Sequence, residues 1–183
     1  MKLSILRAAV VGFVLLAAAE AGAQSNAPVS EPPPDVPDAI AVPAGLEVVL
    51  LAHASGAQTY ACQAGADRKF GWTLKGADAD LKDRKDKVIG HHSSGPTWKL
   101  NDGSEVTGKA VAHVDSLDSE SIPWLLVNVV SHAGKGVLTG VTMIQRVRTH
   151  GGQPPDLGCD ESHKDEETKS SYSADYYFYA PAK

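Results

Sequence analysis

Asn101-Asp102-Gly103-Ser104-Glu105-Val106-Thr107-Gly108-Lys109-Ala110-Val111-Ala112-His113 is the stretch that decides the fold. Its first three residues are a turn signal, because Asn, Asp and Gly tolerate positive φ. Behind the turn, Val106, Gly108, Ala110 and Ala112 alternate with Glu105, Thr107, Lys109 and Val111. A period of two places the first set on one face and predicts a half-buried antiparallel strand over 104–113.

The same reading extends in both directions. Leu46 to His53 is a nearly continuous apolar run, as expected of a strand covered on both faces. After the Ser55-Gly56 break, Ala57 to Cys62 puts Gln58, Tyr60 and Cys62 on one face. Lys69 to Lys75 carries Trp72 and Leu74 on one face, and the polar, lysine-rich Asp78 to Lys87 reads as a loop or one helical turn. Ile122 to Ser131 and Val137 to Arg148, joined through Ala133-Gly134-Lys135-Gly136, read as a central hairpin. Ser171 to Tyr179 closes the domain with Tyr172, Ala174, Tyr176 and Phe178 on one face and Tyr177 and Tyr179 on the other. A two-faced core with hydrogen-bonded hydroxyls is the simpler reading, and one exposed aromatic set that stacks on sugars or grips a partner is the alternative. Hardly any segment has a helical period. The prediction is an all-β single domain, a sandwich or barrel of about eight mostly antiparallel strands.

The N-terminus reads as a secretory leader over 1–23. Lys2 and Arg7 supply the cationic start, Ala8 to Ala19 the apolar run, and Ala21-Gly22-Ala23 the small-x-small cleavage pattern. The run is short of the ~20 residues that span a bilayer, so no membrane span is expected after cleavage. Residues 24–39, rich in proline and small polar residues, read as a disordered tether, and 40–183 as the β domain. Loss of the leader, with Lys2, Arg7 and Glu20, takes the formal net charge from −5 to −6. An acidic chain without a basic cluster argues against nucleic acid and against an anionic membrane surface as partners. The expected location is periplasmic or extracellular.

Cys62 and Cys159 are the only cysteines. In an oxidising compartment such a pair usually bonds, so a structural disulfide is predicted. The rival, a reactive thiol or a metal-ligand pair, has no C-x-x-C or other metal-ligand spacing behind it.

Seven histidines, at 53, 91, 92, 113, 132, 150 and 163, raise the question of zinc or copper. Adjacent His91 and His92 point to opposite faces if extended, and neither H-x-H nor H-E-x-x-H occurs, so surface and turn histidines are the simpler reading. A metal site would need His92 to converge with His113 or His132 through the fold. Asp160 to Lys169 lacks the order of a calcium loop. Ser93-Ser94 beside the histidine pair is outside any G-x-S-x-G frame, and Gly134-Lys135-Gly136 is not a phosphate loop.

The ordered set of short motifs carries a family resemblance. Gly56 to Cys62 gives G-x-Q-x-Y-x-C, and His92 to Trp98 gives H-x-x-G-P-x-W. Asp102-Gly103-Ser104 and Pro123-Trp124-Leu125-Leu126 follow. Gln145 to Gly152 gives Q-R-x-x-T-x-G-G, ahead of Pro155 and Cys159, and Tyr172 to Tyr179 closes the series. Together these resemble the secreted bacterial and fungal family catalogued as domain of unknown function 3455, over about residues 40 to 180. The resemblance implies export and one compact domain, and brings no activity with it.

Within those motifs physical chemistry singles out a few side chains. Gly95-Pro96 fixes a turn that brings His92 and Trp98 together. Gln145 shares an apolar face with Val141, Met143 and Val147, so its amide needs buried partners, while Arg146 and Arg148 fall on the other face. Tyr60, His92, Trp98, Gln145 and Arg146 are the candidate binding residues. The function expected is that of an exported β domain which binds a small molecule, glycan or protein, or serves the envelope structurally, without a cofactor. The alternatives are a histidine-based metal-binding protein and a cofactor-free hydrolase of an unfamiliar type.

Overall fold

The computed structural model describes residues 31–182. The leader and residues 24–30 of the expected tether lie outside the described residues. Eight strands follow one another: β1 (Leu46–Ala64), β2 (Phe70–Lys82), β3 (Val88–Ser93), β4 (Thr97–Leu100), β5 (Glu105–Val114), β6 (Trp124–Ala133), β7 (Met143–Gly151) and β8 (Glu167–Pro181). Each pairs antiparallel with its neighbour in sequence, and β8 returns to pair antiparallel with β1. Of the two predicted architectures, the barrel is the one formed.

Eight strands enclose an interior just wide enough for side chains to fill it. Inward positions alternate along the long strands: Ala52 and Ala54 on β1, Ala77, Ala79 and Leu81 on β2, Trp98 and Leu100 on β4, and Tyr172, Ala174, Tyr176 and Phe178 on β8. Small alanines on β1 and β2 leave room for the aromatic rings of β4 and β8. Gly108 on β5 belongs to the same economy, because a Cβ there would stand 2.4 Å from Val127 Cγ1 and 3.0 Å from the Trp98 ring. The β6–β7 connection, with its 3-10 turn Val137–Gly140, seals one end with Leu138 and Val141, and Ile122 from the β5–β6 connection packs at the other.

A second, smaller core lies on the outer wall. The chain ahead of β1, through the 3-10 turn Asp38–Ile40, straps across the barrel and buries Ile40 completely against Leu126, Val147, Tyr177 and Tyr179. Both aromatic faces of β8 are therefore core, as the simpler reading had it, with Tyr177 and Tyr179 only 3% and 2% exposed. A sequence period separates the two faces of β8 but does not show that a strap covers the second one.

Three expectations are corrected. Asp78 to Lys82 belongs to β2 and pairs with both β1 and β3, because its alternation of Ala79 and Leu81 with Asp78 and Asp80 is a strand pattern in a charged setting. The alternation read across 104–113 breaks at irregularities after Thr107 and Ala110, so Val106 points inward while Ala112 joins the outer core. Arg146 and Arg148 are on opposite faces rather than the same one. Arg148 has φ 48°, and the register of β7 against β8 shifts there, which turns its side chain to the outer wall.

Candidate functional site

The barrel has two unlike ends. At the end carrying the β2–β3, β4–β5 and β6–β7 connections, a hollow of about 320 Å³ is walled by Leu50, Val88, Ile89, Leu100 and Val137. The polar groups on its rim are already engaged within the chain. Asn101 Nδ2 donates to Val88 O at 3.0 Å, and Asp102 accepts from Ser104 N and Oγ and from Val137 N at 2.6–2.8 Å.

The interior toward the opposite end is polar, and four of the five candidate residues meet there. His92 on β3 is directly opposite Trp98 on β4, across the turn in which Gly95 takes φ 117°. The two rings stack with centroids 4.6 Å apart and planes 10° from parallel. Tyr176 sits 5.2 Å from the imidazole and 5.6 Å from the indole, edge-on to the latter. Such a cluster is favoured both by area burial and by ring quadrupoles. His91, the neighbour of His92, points outward to Asp78 at 2.7 Å.

His92 is 3% exposed, and its Nδ1 lies 2.9 Å from Thr97 O. A carbonyl only accepts, so Nδ1 carries the proton and donates. Burial pushes the imidazole pKa down from 6.5 to about 4; the Thr97 bond opposes this, and the nearby charges of Arg146 and His91 add to it. The ring is neutral at pH 7, with Nε2 left as an acceptor.

Arg146 enters the same interior from β7, opposite Leu125 and Tyr176. Its Nε and Nη2 both donate to Pro123 O, at 3.2 and 2.8 Å. No carboxylate pairs with it among the described residues. Arg148, by contrast, holds Asp175 Oδ2 at 3.0 Å and the Tyr177 hydroxyl at 2.7 Å on the outer wall. The buried polar residues are Gln58, His92, Ser104, Ser121, Gln145 and Thr149, with no acidic side chain among them.

Tyr60 reaches across from β1 and donates to Gly152 O at 2.7 Å. Its hydroxyl pKa is raised by burial and drawn back by the Arg146 charge. Burial likewise raises the hydroxyls of Tyr172 and Tyr176, which lie close to each other and in the field of Arg146. Tyr172 approaches Tyr176, and Arg146 approaches Tyr176, but neither hydroxyl meets full hydrogen-bond geometry with a partner among the described residues, and the same holds for Gln58 Oε1 and Trp98 Nε1. Backbone segments 121–123 and 151–153 close over this end through the Ser121–Gly152 bridge and the bond from Thr149 Oγ1 to Ile122 O.

The fifth candidate, Gln145, is elsewhere. It is on the outer wall beneath the strap, where Nε2 donates to Ile40 O at 2.6 Å and Oε1 accepts from the Tyr179 hydroxyl. Its amide has the buried partners expected of it, and they fasten the strap to the barrel. Gln145→Ala strands the Tyr179 hydroxyl and the Ile40 carbonyl, and should cost about 2 kcal/mol of stability. Urea unfolding measures this, and a loss below about 0.5 kcal/mol would mean that Gln145 is not what holds the strap.

Tyr172, Tyr176 and Gln58 are site residues that the sequence reading did not select. Their common face with Tyr60 and Phe178 was visible in the alternation, but their lack of partners is a property of the closed barrel. The histidines do not assemble. His132 Nε2 is bound to Val141 O at 2.7 Å, His92 is enclosed, and no group of three or more His, Cys, Asp or Glu fit to hold a metal occurs among the described residues. Cys62 and Cys159 form a disulfide with Cα atoms 5.3 Å apart, tying the end of β1 to the β7–β8 connection.

The model of the family described as "Protein of unknown function (DUF3455)" matches residues 43–180, and the chain belongs to that family. No curated protein and no solved structure matches it.

Proposed function

We propose that this member of the DUF3455 family is an exported, non-catalytic binding protein that takes a small molecule into the polar half of its barrel. The observation that carries the reading is the stranded quartet of Gln58 Oε1, Trp98 Nε1 and the Tyr172 and Tyr176 hydroxyls. Buried polar groups in folded proteins are nearly always hydrogen-bonded. A purely structural core gains nothing from polar atoms left without well-formed hydrogen bonds, whereas a binding site needs such atoms. A ligand seated among these atoms gains affinity by supplying the hydrogen bonds they lack.

Binding rather than catalysis is supported by His92. Its only hydrogen bond among the described residues is to a backbone carbonyl, with no nucleophile or orienting carboxylate engaged. Export is supported by the leader pattern and by the disulfide.

Tyr172→Phe and Tyr176→Phe test the reading. Each removes a hydroxyl that lacks a well-formed hydrogen bond among the described residues and should leave stability within about 1 kcal/mol of the parent. Each should also weaken a small-molecule probe, found by thermal shift over a chemically diverse panel, by about tenfold or more. A loss of more than about 2 kcal/mol in both variants, with probe binding unchanged, would make the hydroxyls structural and remove the reading.

A further inference from the structure

We infer that the ligand of this interior is an anion, a small carboxylate or comparable oxyanion held by Arg146. The inference rests on the binding reading above and narrows it to a chemical class. A guanidinium has five donors in a planar fork suited to carboxylate. Arg146 is half-buried, gives Nε and Nη2 to one backbone carbonyl and approaches the Tyr176 hydroxyl, so a guest anion would share the guanidinium with that hydroxyl rather than with a carboxylate. In a low-dielectric setting an unopposed charge is costly, and the described residues supply no carboxylate to balance it.

The surroundings have the same bias. Trp98 Nε1 can only donate, and the Tyr176 hydroxyl, approached by Tyr172 and Arg146 as donors, keeps its own proton to donate. Neutral His92 and Gln58 Oε1 are the acceptors present, and both suit a hydroxyl or amide elsewhere on the same guest. The barrel's polar half therefore holds one net positive charge and an excess of donors, inside a chain whose overall charge is negative. Arg148, close by in sequence, is the internal contrast. Its Nη1 meets Asp175 Oδ2 and the Tyr177 hydroxyl on the outer wall, so its charge is already paired within the chain.

The mature, disulfide-bonded protein is titrated with acetate, benzoate and phosphate, and with the neutral acetamide and benzamide, at pH 7 and constant ionic strength. Tryptophan fluorescence and thermal shift are the readouts. At least one anion should bind saturably and at least about tenfold more tightly than its neutral counterpart. Arg146→Gln, which keeps a donor for Pro123 O, should abolish that preference, and Arg146→Lys should keep most of it. Loss of the preference in both variants, with neutral probes unaffected, still ties it to the guanidinium fork. Neutral probes binding as well as the anions, with a ratio that Arg146→Gln does not move, would overturn the anion assignment while leaving the binding reading intact. Binding of neither kind would overturn both.

Discussion

Replacing both Cys62 and Cys159 by alanine is expected to lower the free energy of unfolding by about 4 kcal/mol. The bond joins positions 97 residues apart. On the chain-entropy model a loop of that length is worth about 4–5 kcal/mol, and native disulfides in small secreted domains typically contribute 2–5. The effect belongs mainly to the unfolded chain, because the folded neighbourhood is fastened in other ways. Cys62 N donates to Glu166 O and Asp165 N donates to Cys62 O, each at 2.9 Å, so the end of β1 keeps its partners without the sulfurs. Urea denaturation of parent and double variant at one pH measures the difference. A loss below about 1 kcal/mol would show that the unfolded chain is already compact around this contact.

Acidification should expose His92. The imidazole titrates near 6.5 in the unfolded chain and near 4 in the barrel. Its folded value is depressed, so as pH falls the unfolded state takes up the proton first. The stability tied to the neutral ring is complete above about 6.5 and is lost as pH falls toward 4. A shift of this size amounts to about 3 kcal/mol. His92→Gln should remove that dependence, so parent and variant should lose different amounts of stability between pH 7 and pH 4.5. Asp102 and Asp160, held low by bonds from serine hydroxyls, lose their contribution only at more acid pH. His163, raised by Asp160, acts in the opposite direction, and both effects cancel in the comparison. Equal pH slopes for parent and variant would mean that water reaches the ring.

What the sequence discloses and what it withholds divide along local and non-local lines. The strand order, the inward face of β8 and the pairing of His92 with Trp98 are written in alternation and in one Gly-Pro turn, each within a few residues. The two cysteines needed only a compartment to be paired. Gln145 could be recognised as a buried amide, because it interrupts an apolar face. That its partners are Ile40, 105 residues earlier, and Tyr179, 34 residues later, could not. A period of two puts Arg146 and Arg148 on one face because it has no knowledge that Arg148 is itself left-handed. The stranded quartet was invisible for a related reason. Each member is an ordinary strand residue, and only closure of the sheet removes the solvent that would otherwise answer it.

The seam between β1 and β8 also sets a timetable. Fifteen positions of the first strand pair with the last strand in the chain, from Leu46 with Pro181 to Ala61 with Glu167. A ribosome delivers β1 well before β8, so the barrel cannot shut until the chain has been made through β8. Until then β1 has only one of its two neighbours, and both cores lack the tyrosines of β8. Contacts that span nearly the whole chain are slow to form. The strand that closes the barrel is the last of the eight to be made, and the sheet stays open until it arrives.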